Sequence, residues 1–124
     1  MKNIDFSSLD WHDAIIKKIE IDRVKPGIVD EVKFLIRWSN GTTNRLIFKD
    51  VYWAIFNLNF GVIADECIMD GNYIEINDPD YVKLKTKWMN LYSGIDAVVG
   101  YQITTTSTGS TMRIFAKTFE LDKE

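Results

Sequence analysis

Apolar and polar residues alternate with a period of two along much of the chain, the pattern of half-buried β-strands. Ile15, Lys17, Ile19 and Ile21 alternate with Ile16, Lys18, Glu20 and Asp22, and Lys25-Pro26-Gly27 then supplies a turn. Val32, Phe34, Ile36 and Trp38 line one face of the next predicted strand, with Lys33 and Arg37 on the other. Ser39-Asn40-Gly41-Thr42 is the strongest local signal, because Asn-Gly accepts the positive φ angles of a tight hairpin. The return strand runs from about Thr43 to Lys49, carrying Leu46 and Phe48 on one face.

The segment Val51 to Phe60 admits two readings. Its aromatic and β-branched content favours a strand, and a short helix capped by Asp50 is the alternative. As a strand, its first half is apolar on both faces, so both faces need cover. Short strands are expected at Ala64–Met69 and Tyr73–Ile76, separated by a turn at Asp70-Gly71-Asn72. A helix follows: Asp78 can cap, Pro79 suits the first position, and Tyr81, Leu84, Trp88 and Leu91 recur at helical spacing until Gly94. Lys83, Lys85 and Lys87 stay in water. Two closing strands, about Ala97–Thr105 and Thr111–Leu121, turn at Ser107–Ser110. The expected fold is α+β and β-dominated: a largely antiparallel sheet of six to eight strands, barrel-like in one version, with one packed helix near residues 79–92.

A chain of 124 residues fits one domain, 1–124, able to bury roughly two-thirds of the surface its unfolded form exposes. The single cysteine, Cys67, excludes an intrachain disulfide and any zinc site built on several thiolates. Met1-Lys2-Asn3-Ile4-Asp5 lacks the apolar stretch of a secretory signal, and Val51–Ala64 is too short and too interrupted for a membrane span. A cytoplasmic location is the expectation.

Charge is unevenly spread. Between Lys49 and Lys83 there is no basic residue, whereas Asp50, Asp65, Glu66, Asp70, Glu75, Asp78 and Asp80 sum to −7. With −3 overall, the rest of the chain sums to +4. Such a segment repels polyphosphate, which argues against a nucleic-acid surface.

Catalytic signals are weak. His12, the only histidine, sits in Asp10-Trp11-His12-Asp13, where an imidazole beside carboxylates can act as a general base. No serine or cysteine is placed by motif as its nucleophile, so a turn in which His12 or Asp13 bonds backbone groups is the plainer reading. Asp65, Glu66, Cys67 and Asp70 lack the spacing of a calcium or zinc site and read as a solvated acidic face. Cys67, with no adjacent cation, reads as a small buried hydrophobe. Thr104–Thr111 lacks the lysine of a phosphate loop and lies between strands, so it reads as a hairpin tip.

Trp11-His12-Asp13-Ala14 followed by Ile16, Ile19 and Asp22 resembles the W/L-H-D-(A/S) opening of a loose group of small bacterial β-rich proteins. Thr105-Thr106-Ser107-Thr108-Gly109-Ser110 and Ala116-Lys117-Thr118-Phe119-Glu120 are similar to their closing hairpin. Some members are encoded near polymorphic toxins and are regarded as immunity proteins. The resemblance covers about a third of the chain and assigns no catalytic residue. The basic-free Asp50–Val82 segment and the aromatic excess point to a non-enzymatic protein-binding module and, together with this resemblance, to an immunity protein that neutralises a basic toxin. Trp53, Asp65, Glu66, Asp70 and Glu75 are the expected partner-binding residues, since acids speed encounter and aromatics hold a complex. No cofactor, metal, nucleic acid or membrane is implied. The alternatives are a small-ligand binder or weak enzyme with a cavity near His12 and Asp13, and a subunit that forms a homodimer through Val51–Phe60.

Overall fold

The computed structural model describes residues 4–123. Met1, Lys2 and Asn3, part of the stretch read above as lacking a secretory signal, lie outside that range, as does Glu124. Six antiparallel strands form a closed barrel: β1 (Ile15–Lys25), β2 (Val29–Arg37), β3 (Thr43–Asn57), β4 (Glu66–Ile74), β5 (Val99–Thr105) and β6 (Thr111–Lys123). Their order around the barrel is β1-β2-β3-β6-β5-β4. One α-helix, α1 (Pro79–Trp88), packs on the outside, which gives the expected β-dominated α+β class. Among the described residues no helix is long and apolar enough to cross a membrane.

The sequence Thr43–Asn57 is one continuous strand, and its composition explains why. The first half of β3 pairs with β2 from Arg37↔Thr43 to Glu31↔Lys49, and the whole of it pairs with β6. The register slips at Tyr52, between Val51↔Ala116 and Trp53↔Phe115, and Asp50 adopts φ 54° at this bend. A bulge of this kind turns the strand and re-aims its side chains. Leu46, Phe48, Val51, Ala54 and Phe56 therefore belong to the interior, while Tyr52, Trp53 and Ile55 pack outside. The interior side faces the barrel and the exterior side faces α1, yet Val51 to Phe56 all stay half-buried.

Phe34, Ile36, Leu46, Phe48, Ile103 and Ile114 are fully buried inside the barrel. Each contributes roughly 1.5–3 kcal/mol relative to exposure. The N-terminal segment plugs the barrel: Phe6, on a short 3-10 turn (Phe6–Ser8), and Trp11 are both buried, and the Trp11 Nε1–H donates to the Phe6 carbonyl at 2.7 Å. Closure between β1 and β4 is brief, Ile15↔Cys67 and Ile16↔Glu66. Backbone bonds from Asp13 to Ile68 (3.1 Å) and from Ile68 to Ala14 (2.7 Å) extend it.

Outside, Tyr81 and Leu84 of α1 join Ile74, Ile95, Val98 and Phe115 in a second apolar cluster. Asp78 caps the helix by accepting from the Asp80 N–H at 2.9 Å, with Pro79 at the first position as expected. Arg113 on β6 pins that end to the barrel, donating to both Asp78 oxygens (2.9 and 2.7 Å), to Asp80 (2.5 Å) and to Gln102 (2.7 Å). The Arg113 guanidinium holds the Asp78 carboxyl below its ordinary value of 3.8.

Four expectations are corrected. Asp70-Gly71-Asn72 is not a turn but the middle of β4, because Gly71 leaves room for the Trp11 indole against the strand. The two short strands predicted around it are one. The helix stops at Trp88 with Met89 as its cap; Leu91 lies exposed beyond it, and Gly94 belongs to a following 3-10 turn, Ser93–Ala97. The alternation of β1 breaks at Lys17, where the pairing skips from Ile16↔Ile36 to Lys18↔Leu35, so Ile16 and Ile19 share the interior.

Candidate binding cleft

The central acids do not form one free surface with Trp53. Trp53 lies on the outer face of β3, stacked on Phe115 (centroids 5.5 Å, 22° between planes), with the Lys83 ammonium 5.9 Å from its ring. Glu66 starts β4, and β6 and β5 stand between β3 and β4. Three inter-strand spacings amount to roughly 14 Å. The Glu66 oxygens accept from the Ser107 and Thr108 hydroxyls (2.9–3.1 Å), and Asp70 accepts from Thr104 at 2.8 Å. These bonds tie the β5–β6 hairpin tip and the sheet together. Asp65 and Glu75 are exposed at the two ends of β4.

His12 and Asp13 are equally far from forming a pocket. The His12 side chain is 82% exposed, 3.6 Å from the Asp13 carboxylate, and neither residue lines either of the two cavities described below. Asp13 (φ 66°) marks the sharp entry into β1, and the Cys67 thiol lies 3.8 Å from its carboxylate. Their neighbourhood is the β1–β4 seam. Among the described residues no group of three or more His, Cys, Asp and Glu side chains is placed to hold a metal ion.

The main concavity arises where pairing stops. The β1–β2 ladder continues to Lys25↔Val29, whereas the β2–β3 ladder ends at Glu31↔Lys49. Beyond that point the hairpin and the second half of β3 part, and a cleft of about 720 Å³ opens between them. Its apolar wall is Ile21, Ile28, Val32, Val51, Ala54 and Phe56. Ile21 pairs with Val32 at the barrel mouth, yet it is 56% exposed because nothing closes over it. An aromatic wall on the outer side consists of Tyr52, Trp53 and Trp88, with Tyr52 edge-on to Trp88 at 5.2 Å and stacked on Tyr92 at 5.8 Å. Burial pushes the Tyr52 hydroxyl above its ordinary pKa, while a hydrogen bond from Lys117 pulls that of Tyr92 down.

Four carboxylates, Asp22, Asp30, Glu31 and Asp50, line the cleft against one guanidinium, Arg23. Lys33 lies 3.7 Å from Glu31 and 4.0 Å from Asp22, outside the lining. Asp30 accepts from the Gly27 N–H through Oδ2 at 2.8 Å, which shapes the turn. Its Oδ1 is 3.8 Å from Arg23 Nε, too far for a hydrogen bond. Asp30 Oδ1 and Trp88 Nε1 are the buried side-chain polar atoms without a protein hydrogen-bond partner among the described residues, and both residues line this cleft. A second, smaller cavity of about 220 Å³ sits beside Arg113 and Asp78, where the helix pin already uses the polar groups.

Sequence reasoning singled out Trp53 and marked Val51–Phe60 as a segment needing cover, but missed the acidic side that the β1–β2 hairpin brings to it. A signal was present: Val24 and Ile28 are apolar residues at a turn flanked by Asp22, Asp30 and Glu31, and the structure leaves them 81% and 75% exposed. No protein-family model, curated protein or solved structure matches the chain.

Proposed function

We propose that the protein is a non-enzymatic binding module that holds a basic protein partner in the cleft between the β1–β2 hairpin and β3. With the W-H-D-A resemblance, which implies an immunity protein, this reading becomes immunity towards a basic toxin. The observation that carries it is the pairing of an apolar, aromatic wall with four carboxylates and a single guanidinium. Rings and aliphatic side chains supply the area that holds a complex, and the acids supply attraction and register. Asp30 Oδ1 accepts no hydrogen bond and has only the Arg23 guanidinium at 3.8 Å, so an ammonium or guanidinium of the partner supplies the donor it lacks. Of the acids expected to bind, Glu66 and Asp70 accept hydrogen bonds within the fold, and Asp65 and Glu75 are exposed away from the cleft lining.

The test uses capped peptides matching Val51–Asn57 in length. One pool has Lys or Arg at alternate positions, and a control pool has Glu. Tryptophan fluorescence reports binding, since Trp53 and Trp88 line the cleft. The basic pool is expected to bind, with affinity falling as salt rises and falling about tenfold or more in Asp22→Asn/Asp30→Asn/Asp50→Asn. These substitutions keep the turn-forming side-chain oxygens. Equal binding of the acidic pool, or no loss in the triple variant, overturns the reading.

A volume of about 720 Å³ also falls in the range of small-ligand sites. A free cationic amphiphile that displaces the peptides completely, together with peptides too weak to saturate, favours that second reading.

A further inference from the structure

Four strand edges of the barrel lack a full partner among the described residues. β1 pairs with β4 only at Ile15 and Ile16, β4 is free of β1 beyond Cys67, β3 has only β6 beside it from Val51 to Asn57, and β6 has only β3 beside it beyond Ala116. Open edges invite pairing with other chains, and proteins blunt them with charge, proline or cover. The β1 edge carries Lys17, Lys18, Glu20, Asp22, Arg23 and Lys25, and the β6 edge carries Lys117, Glu120 and Asp122. The β4 edge is covered by the Phe6–Ser8 turn, with the Phe6 N–H donating to the Tyr73 hydroxyl at 3.0 Å. The β3 edge, Val51-Tyr52-Trp53-Ala54-Ile55-Phe56-Asn57, has no charge and no proline. It borders the cleft on one side and runs into a loop whose Phe60 and Ile63 are almost wholly exposed. It is the one edge of the four left without protection.

We infer that this edge of β3 accepts an added strand from the basic partner, so that the complex prolongs the barrel sheet through the cleft. The inference rests on the reading under Proposed function and deepens it by naming the mode of attachment. Main-chain bonds to β3 give affinity, and alternate side chains reach the two walls. A Lys or Arg of the added strand meets Asp30, Glu31 and Asp50 at the hairpin end, and apolar residues meet Phe60 and Ile63 at the other. A second copy of this chain is the rival occupant. A two-fold pairing of this edge in two copies is antiparallel and sets the carboxylates of each beside the Phe60–Ile63 loop of the other, with no opposite charge to meet them, whereas a basic strand supplies one.

The experiment compares the basic peptide pool with two versions N-methylated at alternate residues, one in each register, while amide hydrogen exchange is followed in the intact protein. An added strand bonds through every second residue, so methylation in one register weakens binding about tenfold or more and in the other has little effect. Exchange of the edge-facing amides between Val51 and Asn57 slows on binding. If both methylated pools bind like the parent and exchange in this segment is unchanged, the inference fails while the cleft reading stands. If the basic pool binds no better than the acidic one, both fail. If the free protein sediments as a dimer with these amides already protected, the edge belongs to a second copy and the inference is overturned.

Discussion

Replacing Gly71 with alanine tests the way the N-terminal plug is seated. A β-carbon built on Gly71 lies 2.7 Å from Cδ2 and 2.8 Å from Nε1 of the Trp11 indole, and closer still to Cε2. Ordinary carbon–carbon contacts are about 3.5–4.0 Å, so the ring must retreat by about 1 Å or β4 must bend. Neither movement is free. The indole is 3% exposed, 4.8 Å from the Phe6 ring and 5.4 Å from the Trp38 ring, and its N–H is bonded to the Phe6 carbonyl. β4 is held on the other side by Gly71↔Ile103. Overpacking of this kind costs about 1–3 kcal/mol, and losing the Trp11 bond adds about 1–3 kcal/mol if the ring slides off it. Gly71→Ala is therefore expected to destabilise by about 2–4 kcal/mol, lowering the melting temperature by about 10 °C. Guanidinium unfolding of Gly71→Ala, Trp11→Leu and the double variant measures the coupling. The smaller side chain vacates the space, so the double variant should be more stable than the sum of single losses predicts, by at least about 1 kcal/mol. A Gly71→Ala variant within about 0.5 kcal/mol of the parent, or strictly additive losses, refutes the close approach.

Arg113→Met should cost about 1–2 kcal/mol, the low end for charged hydrogen bonds, because about a fifth of both side chains stays in water. The Asp78 carboxyl titrates below 3.8 in the fold, so its contribution is present above that value and lost as pH falls through the folded pKa; the variant should lose less stability than the parent below about pH 4. Burial pushes Tyr101 from 10.0 up to about 12, so the parent should lose about 2–3 kcal/mol between pH 10 and 12, where the unfolded chain has shed a proton the fold retains. Urea titrations of Tyr101→Phe across that window should show a flatter slope. Trp11→Phe should cost about 1–3 kcal/mol more than Trp88→Phe, since the first leaves the Phe6 carbonyl without its donor while the second removes an N–H that has no protein partner. Equal losses in thermal melts would contradict the hydrogen-bond assignment.

Period-two alternation located β1, β2 and the first half of β3, and Asn40-Gly41 located the β2–β3 turn, because those signals are local. The helix start was legible for the same reason: Asp78 and Pro79 act on their own turn. The end was not, since Leu91 continues the helical spacing but finds no surface to pack on. Gly71 was misread because a glycine beside Asp and Asn has two uses, a turn or a close approach, and only the position of Trp11, sixty residues away, chooses between them. The cleft was illegible for a related reason. Asp22, Asp30 and Glu31 converge with Asp50 only because the β2–β3 ladder stops at Lys49, which no spacing along the chain announces. Conversely, the run of acids from Asp50 to Asp80 is conspicuous in sequence, yet the fold spends most of them on Ser107, Thr108, Thr104 and Arg113.

The location of binding is the most direct test of the account. Backbone amide resonances of the isotopically labelled protein, followed while the basic peptide pool is added, report where the partner sits residue by residue. The account predicts shifts at residues 21–31 and 50–56, with Glu66, Asp70 and the His12–Asp13 turn unmoved. Shifts centred on residues 65–75 or on His12, with the hairpin and β3 silent, contradict it.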